Sequence, residues 1–147
     1  MVDVYTKAKR SELMSRIRSR DTRPERLVRS TLHRLGYRFR LHRADLPGKP
    51  DIVLPRYSAV IFVHGCFWHR HAGCSYAVLP SSNRVFWSKK LNGNRRRDRL
   101  SVQKLRGDGW RVAVLWECAT RNAERHAHAL KRLAEWVRSS KHLIELP

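Results

Sequence analysis

Apolar residues recur along this chain with two periods, and the changes of period mark its elements. Thr22-Arg-Pro-Glu25 has the form of a capping box with proline in the first turn, and Leu27, Val28, Leu32 and Leu35 follow at helical spacing up to Gly36. This predicts a helix of about three turns. Tyr37, Phe39 and Leu41 then alternate with Arg38, Arg40 and His42, the period of a half-buried strand. The turn Leu46-Pro-Gly-Lys-Pro50 leads into Asp51-Ile-Val-Leu54, and Pro55-Arg-Tyr-Ser58 turns the chain back into Ala59-Val-Ile-Phe-Val63. These two segments read as a hairpin whose second strand is fully buried.

Residues 64–83 hold His, Cys, Gly and aromatic residues without a clean period, the pattern of a long functional loop. Residues 84–106 are basic and helical in pattern, with an interruption expected at Asn92-Gly93-Asn94. Gly107-Asp-Gly109 turns into a strand over Trp110–Trp116, and Ala123, Ala127, Leu130, Ala134 and Val137 predict a final helix to about Ser139. Helix, three or four strands with local hairpin pairing, then helices is the order of an α/β sandwich with a mixed sheet flanked by helices. No repeat or linker divides the chain, so residues 1–147 read as one domain, with the first 20 residues or so as an arm and 121–147 as a C-terminal helix and tail.

At 147 residues and 41% hydrophobic, the chain can bury a core without disulfides. Its longest apolar runs, Ala59–Val63 and Val112–Trp116, fall far short of the roughly 18 residues of a membrane span, and its first residues lack a secretory pattern. The expectation is a cytoplasmic monomer with no membrane partner. Charge changes the picture most: 32 Lys+Arg stand against 12 Asp+Glu, a net +20. Residues 1–40 carry 12 basic and 4 acidic side chains and residues 89–111 carry 9 and 2, so two segments supply most of the excess. Such clusters favour a polyanion, and nucleic acid is the leading candidate through counterion release.

Two constellations bear chemistry. Asp51 opens one strand of the hairpin, His64 ends the other, and Glu25 arrives from the first helix. Carboxylates converging on a basic surface suit Mg²⁺ and phosphodiester cleavage, although Asp51 also fits a turn and Glu25 a helix cap. The second is His64-Gly-Cys66-Phe-Trp-His69-Arg-His71-Ala-Gly-Cys74, with three His and two Cys in eleven residues. His71 and Cys74 are spaced as ligands of tetrahedral Zn²⁺, and Cys118 can add a third. The fourth is not fixed by spacing; Asp98, an isolated acid in Arg95-Arg-Arg-Asp-Arg99, is a candidate, while Cys66 reads better as a small buried residue. Either His64 or His69 can serve as a general base. Phe67-Trp68 is a candidate wedge for unstacking a base step and Met14 fits either another wedge or an N-terminal helix contact, whereas Trp87, Trp110, Trp116 and Trp136 read as core anchors. Arg20, Lys49, Arg95 and Arg96 are the cations expected to contact the nucleic acid.

Several strings together carry a family resemblance: Met14-Ser15, Arg20-Asp-Thr22, Leu46-Pro-Gly-Lys-Pro-Asp51-Ile-Val53, Val60-Ile-Phe-Val-His-Gly-Cys-Phe-Trp-His69, Phe86-Trp87, Asn94 to Arg99, and Gly109 to Cys118. Over roughly residues 3–120 the chain closely resembles the very short patch repair (Vsr) DNA mismatch endonucleases. The resemblance implies a restriction-endonuclease-like fold that nicks one strand of duplex DNA 5′ to the T of a T:G mismatch, the lesion left by deamination of 5-methylcytosine, with mismatch-repair proteins as further partners. It implies Asp51 as the Mg²⁺ carboxylate with the Val63 backbone carbonyl beside it, His69 as general base, His64 as a phosphate-side contact, and Glu25 as the residue that positions water. It also implies His71, Cys74, Cys118 and Asp98 as ligands of a structural Zn²⁺, and Met14, Phe67 and Trp68 as the wedge. Two departures stand out: Val63 replaces the threonine common before the His-Gly pair, and Ala72-Gly73 makes the His71 to Cys74 spacing one residue longer.

Overall fold

A computed structural model describes residues 21–147; Met14, Arg20 and the N-terminal arm lie outside the described residues. Helix α1 spans Arg23–Arg34. Thr22 caps it, its hydroxyl accepting from the Glu25 N–H at 3.4 Å, while Glu25 turns its own carboxylate back to the Asp21 N–H at 2.9 Å. The alternating segment after it is pairing strand only at β1, Arg40–Leu41. Two local forces shorten it. Tyr37 is drawn into the core, its ring oxygen meeting the Ala134 carbonyl and the Arg138 guanidinium, and His42 takes a left-handed φ of 48° that ends the strand.

The hairpin forms as the alternation and turn residues predict. Strand β2 (Ile52–Leu54) pairs antiparallel with β3 (Ala59–His64) across a 3-10 turn at Pro55–Tyr57, and every residue of β3 is buried. Helix α2 then runs unbroken from Arg84 to Gly107. Asn92 and Asn94 do not break it because their side chains are held from outside the helix, Asn92 by Arg70 at 2.7 Å and Asn94 by the Trp68 carbonyl at 3.1 Å. Strand β4 (Arg111–Trp116) pairs parallel with β3, and α3 (Ala123–Arg138), capped by Asn122, follows. The tail adds a strand the sequence pattern did not show: β5, Leu143–Leu146, parallel to β4. The described sheet is therefore mixed and five-stranded, in the order β1-β2-β3-β4-β5.

Alternation divides the core. Ile61, Val63, Ala113 and Leu115 face α1 and α3 with Val28, Leu32, Leu133 and Trp136, while Val60, Phe62, Val112, Val114 and Trp116 face α2 with Leu105 and Val102. Truncating a fully buried member such as Leu133 to alanine costs about 2–5 kcal/mol. Arg111 stitches the end of α3 to the sheet, donating to the carbonyls of Trp136 and Val137 while its guanidinium lies 4.4 Å from the Trp136 ring. At Gly48 (φ 74°) a Cβ would come within 2.8 Å of the Ser101 Cβ on α2 and 3.2 Å of the Phe62 ring, so the turn before Asp51 packs directly on that helix.

Candidate active site and cysteine-histidine cluster

Antiparallel pairing of β2 with β3 puts Asp51 opposite the end of β3, and the Val63 N–H donates to Asp51 Oδ2 at 2.7 Å. The other oxygen, Oδ1, lies 3.9 Å from His42 Nδ1. The far side of that ring meets α1, its Nε2 standing 3.6 Å from Glu25 Oε2 and 3.4 Å from Asp21 Oδ1. Asp51 and Glu25, joined in the sequence reading, thus face a common site with His42 between them. Burial pushes the Asp51 carboxyl up to about 7, the Val63 N–H opposes this, and the Glu25 charge adds to it. The imidazoles of His42 and His69 pull the other way.

His69 Nδ1 lies 2.6 Å from Asp98 Oδ2, a carboxylate that α2 delivers from 29 residues away. Its ring stacks on His64 at 3.8 Å with the planes 3° apart. His64 is 5% exposed and its Nδ1 has no hydrogen-bond partner among the described residues. Burial drives its pKa down to about 3, with the His69 charge acting in the same direction, so His64 is neutral at physiological pH.

Asp98, expected among the zinc ligands, lies against His69 and His64 and is not grouped with the sulfur ligands. The soft-ligand cluster is Cys66, His71, Cys74 and Cys118, whose ligand atoms all lie within 4.8 Å of one another. The physical reason is reach. The loop folds back so that the His71 N–H donates to the Cys66 carbonyl at 2.9 Å, which brings Cys66 under the strand end that carries Cys118. Three thiols and an imidazole are a donor set suited to tetrahedral Zn²⁺, and none of the cysteines is in a disulfide. Burial pushes the Cys66 and Cys118 thiols up. Trp116 braces the cluster: its ring stacks on His71 at 4.1 Å and its Nε1–H donates to Glu145 of β5 at 2.6 Å.

Phe67 and Trp68 stand half-buried beside the site and meet edge-on at 5.1 Å. Behind them is Trp87 of α2, 5.6 Å from Phe67 and 6.0 Å from Trp68. The helical pattern that marked Trp87 as core was right about its burial and silent about what it supports. His42 was the other omission; only its place at the end of an alternating run was visible. Lys49 is exposed in the turn before Asp51, and Arg95 and Arg96 are exposed on α2.

A half-buried carboxylate held at the end of β3 and a His–Asp pair on the loop that follows are parts of a hydrolytic centre. Residues 2–75 match the family described as DNA mismatch endonuclease Vsr. The chain belongs to the Vsr family. It is 45% identical over 139 residues to the DNA mismatch endonuclease Vsr of Escherichia coli (strain K12), an alignment covering 93% of this chain and 88% of that protein. It is 54% identical over 118 residues to the type II nicking enzyme V.XorIIP of Xanthomonas oryzae pv. oryzae, covering 80% and 86%. A third Vsr-like relative, the type II nicking enzyme V.NmeAIP of Neisseria meningitidis, is 40% identical over 140 residues, covering 95% and 99%.

Proposed function

We propose that this Vsr-family chain is a Mg²⁺-dependent endonuclease that nicks one strand of duplex DNA 5′ to the T of a T:G mismatch. The observation that carries this reading is the pairing of His69 with Asp98 at 2.6 Å, on the loop that follows the strand whose Val63 N–H holds Asp51. Asp51, with the Val63 carbonyl, would hold Mg²⁺, whose charge would offset that building on the scissile phosphate. Asp51 Oδ2 is already fixed by the Val63 N–H, which leaves Oδ1 as the oxygen turned toward Glu25 and His42.

His69 acts as the general base. With Nδ1–H held by Asp98, its Nε2 is the free acceptor, takes a proton from water, and the resulting imidazolium is stabilised by the same carboxylate. The water oxygen attacks phosphorus as a P–O bond breaks. Neutral, buried His64 fixes the His69 ring by stacking and meets the phosphate side. Glu25, held by the Asp21 N–H, orients water from the α1 side.

Mismatch choice follows from stacking. A wobble pair costs less to open than a Watson–Crick pair, and Phe67 and Trp68, backed by Trp87, supply an apolar wedge that regains part of that energy. Cys66, His71, Cys74 and Cys118 would hold a structural Zn²⁺, which would tie the loop bearing His69 to the segment that follows β4. The test is incubation with Mg²⁺ and paired duplexes, matched and T:G. The expected outcome is nicking of the T:G duplex alone, abolished in Asp51→Ala while binding persists; equal cutting of both duplexes removes the mismatch reading.

A further inference from the structure

Between α2 and the outer strands β4 and β5 lies a cavity of about 700 Å³; His64, His69 and Asp98 of the candidate site line part of it, and the chemistry above leaves the rest without a role. Its floor is apolar: Val114, Trp116 and Leu143 come from the sheet face that looks toward α2. One wall is a single stripe of α2, Arg95, Arg99, Gln103 and Arg106, spaced by four, four and three residues so that all four point the same way. None of these arginines has an ion-pair partner among the described residues. The two acids that line the cavity are already engaged by other lining residues, Asp98 by His69 and Glu145 by the Trp116 N–H. At the inner end is His64, 5% exposed, its Nδ1 unpartnered.

We propose that this cavity is a subsite for a short single-stranded segment of the substrate, a base lodged on the floor with its phosphates along the arginine stripe. The inference rests on the nuclease reading and deepens it by naming where a nucleotide loosened from the duplex goes. Charge decides the class of occupant: a row of free guanidinium groups asks for successive anions, and Arg95 and Arg99 are about 6 Å apart along the helix axis, so one backbone segment meets both. The floor decides its form. Intact duplex presents paired, stacked bases and gains nothing from a recess of valine and leucine, whereas an unpaired base buries its face there. The volume is that of a small-molecule site and not of a duplex cleft.

The probe is 5′-phosphorylated trithymidylate titrated calorimetrically into the full chain at low salt, with thymidine and inorganic phosphate as separate arms. Arg99→Glu/Arg106→Glu removes the stripe at exposed positions, and Leu143→Trp fills the floor without touching charge; circular dichroism checks that each folds. The expected result is binding of the trinucleotide that Asp51→Ala retains and that both cavity variants weaken at least tenfold, with neither thymidine nor phosphate matching it. Equal affinity in all variants, or phosphate binding as well as the trinucleotide, overturns the proposal. T:G nicking by a chain that does not bind the trinucleotide removes the subsite and leaves the nuclease reading intact. Trinucleotide binding by a chain that nicks no duplex keeps the subsite and removes that reading.

Discussion

His69 and Asp98 are far apart in sequence and 2.6 Å apart in space, and that contact turns an ordinary imidazole into an oriented one. Asp98→Asn keeps the size and loses the charge that supports the imidazolium, so kcat for nicking is expected to fall by about 10²-fold or more with DNA affinity little changed, measured by single-turnover cleavage. Asp51 makes a different prediction. Its carboxyl titrates near 7 in the fold against 3.8 when free, so between those values the native state holds the extra proton. The metal-free protein therefore loses stability as pH rises through that window. Asp51→Asn is expected to stabilise the metal-free protein at pH 8, on the order of a few kcal/mol at most, and hardly at all at pH 4. Urea melts at the two pH values check the sign. The sequence singled out both acids. It marked Asp98 as an acid with a reason to be in a basic run, but spacing cannot tell a ligand of zinc from an orienter of histidine, since both roles ask for a carboxylate near the same loop. It weighed burial against ligation for Cys66, and the two coincide: the residue is fully buried and lies among the other sulfurs.

At the scale of elements, the hairpin and the helices were legible because each has a clear period and a punctuating Pro, Gly or cap residue. β5 was not, because Leu143-Ile-Glu-Leu146 becomes strand only by pairing with β4, a non-local cause that a four-residue window does not contain. The same strand anchors Trp116 through Glu145 and, through that ring, His71. The cluster is thus held by a loop, a strand end and the tail together. Elemental analysis is expected to find stoichiometric zinc in the purified chain, retained in Asp98→Asn and lost in Cys66→Ser, which separates the two assignments of the fourth ligand. Removal of zinc by a chelator should lower the melting temperature and release the loop that carries His69, so nicking falls along with stability.

For the molecule as a whole, charge dominates. The helix that delivers Asp98 to His69 also carries a dense run of arginines, so on the proposed reading catalysis and attraction of DNA share one element. Duplex binding should weaken steeply with salt, the logarithmic slope being about −0.9 for each phosphate neutralised, and Arg95→Ala and Arg96→Ala should each flatten it by roughly one phosphate. Fluorescence anisotropy across a salt series measures this. Net charge foretold the polyanion but not which cations would stand together in space.

The tight packing at Gly48 reaches beyond folding. On one side of that contact is the turn that ends at Asp51; on the other is the helix that carries Asp98. A single methyl group there would act as a shim, levering the turn before Asp51 away from the helix that carries Asp98 while leaving the hydrophobic core filled. Position 48 is accordingly the place to look for a heat-sensitive allele, one that keeps its shape in the cold and loses its cutting edge first on warming.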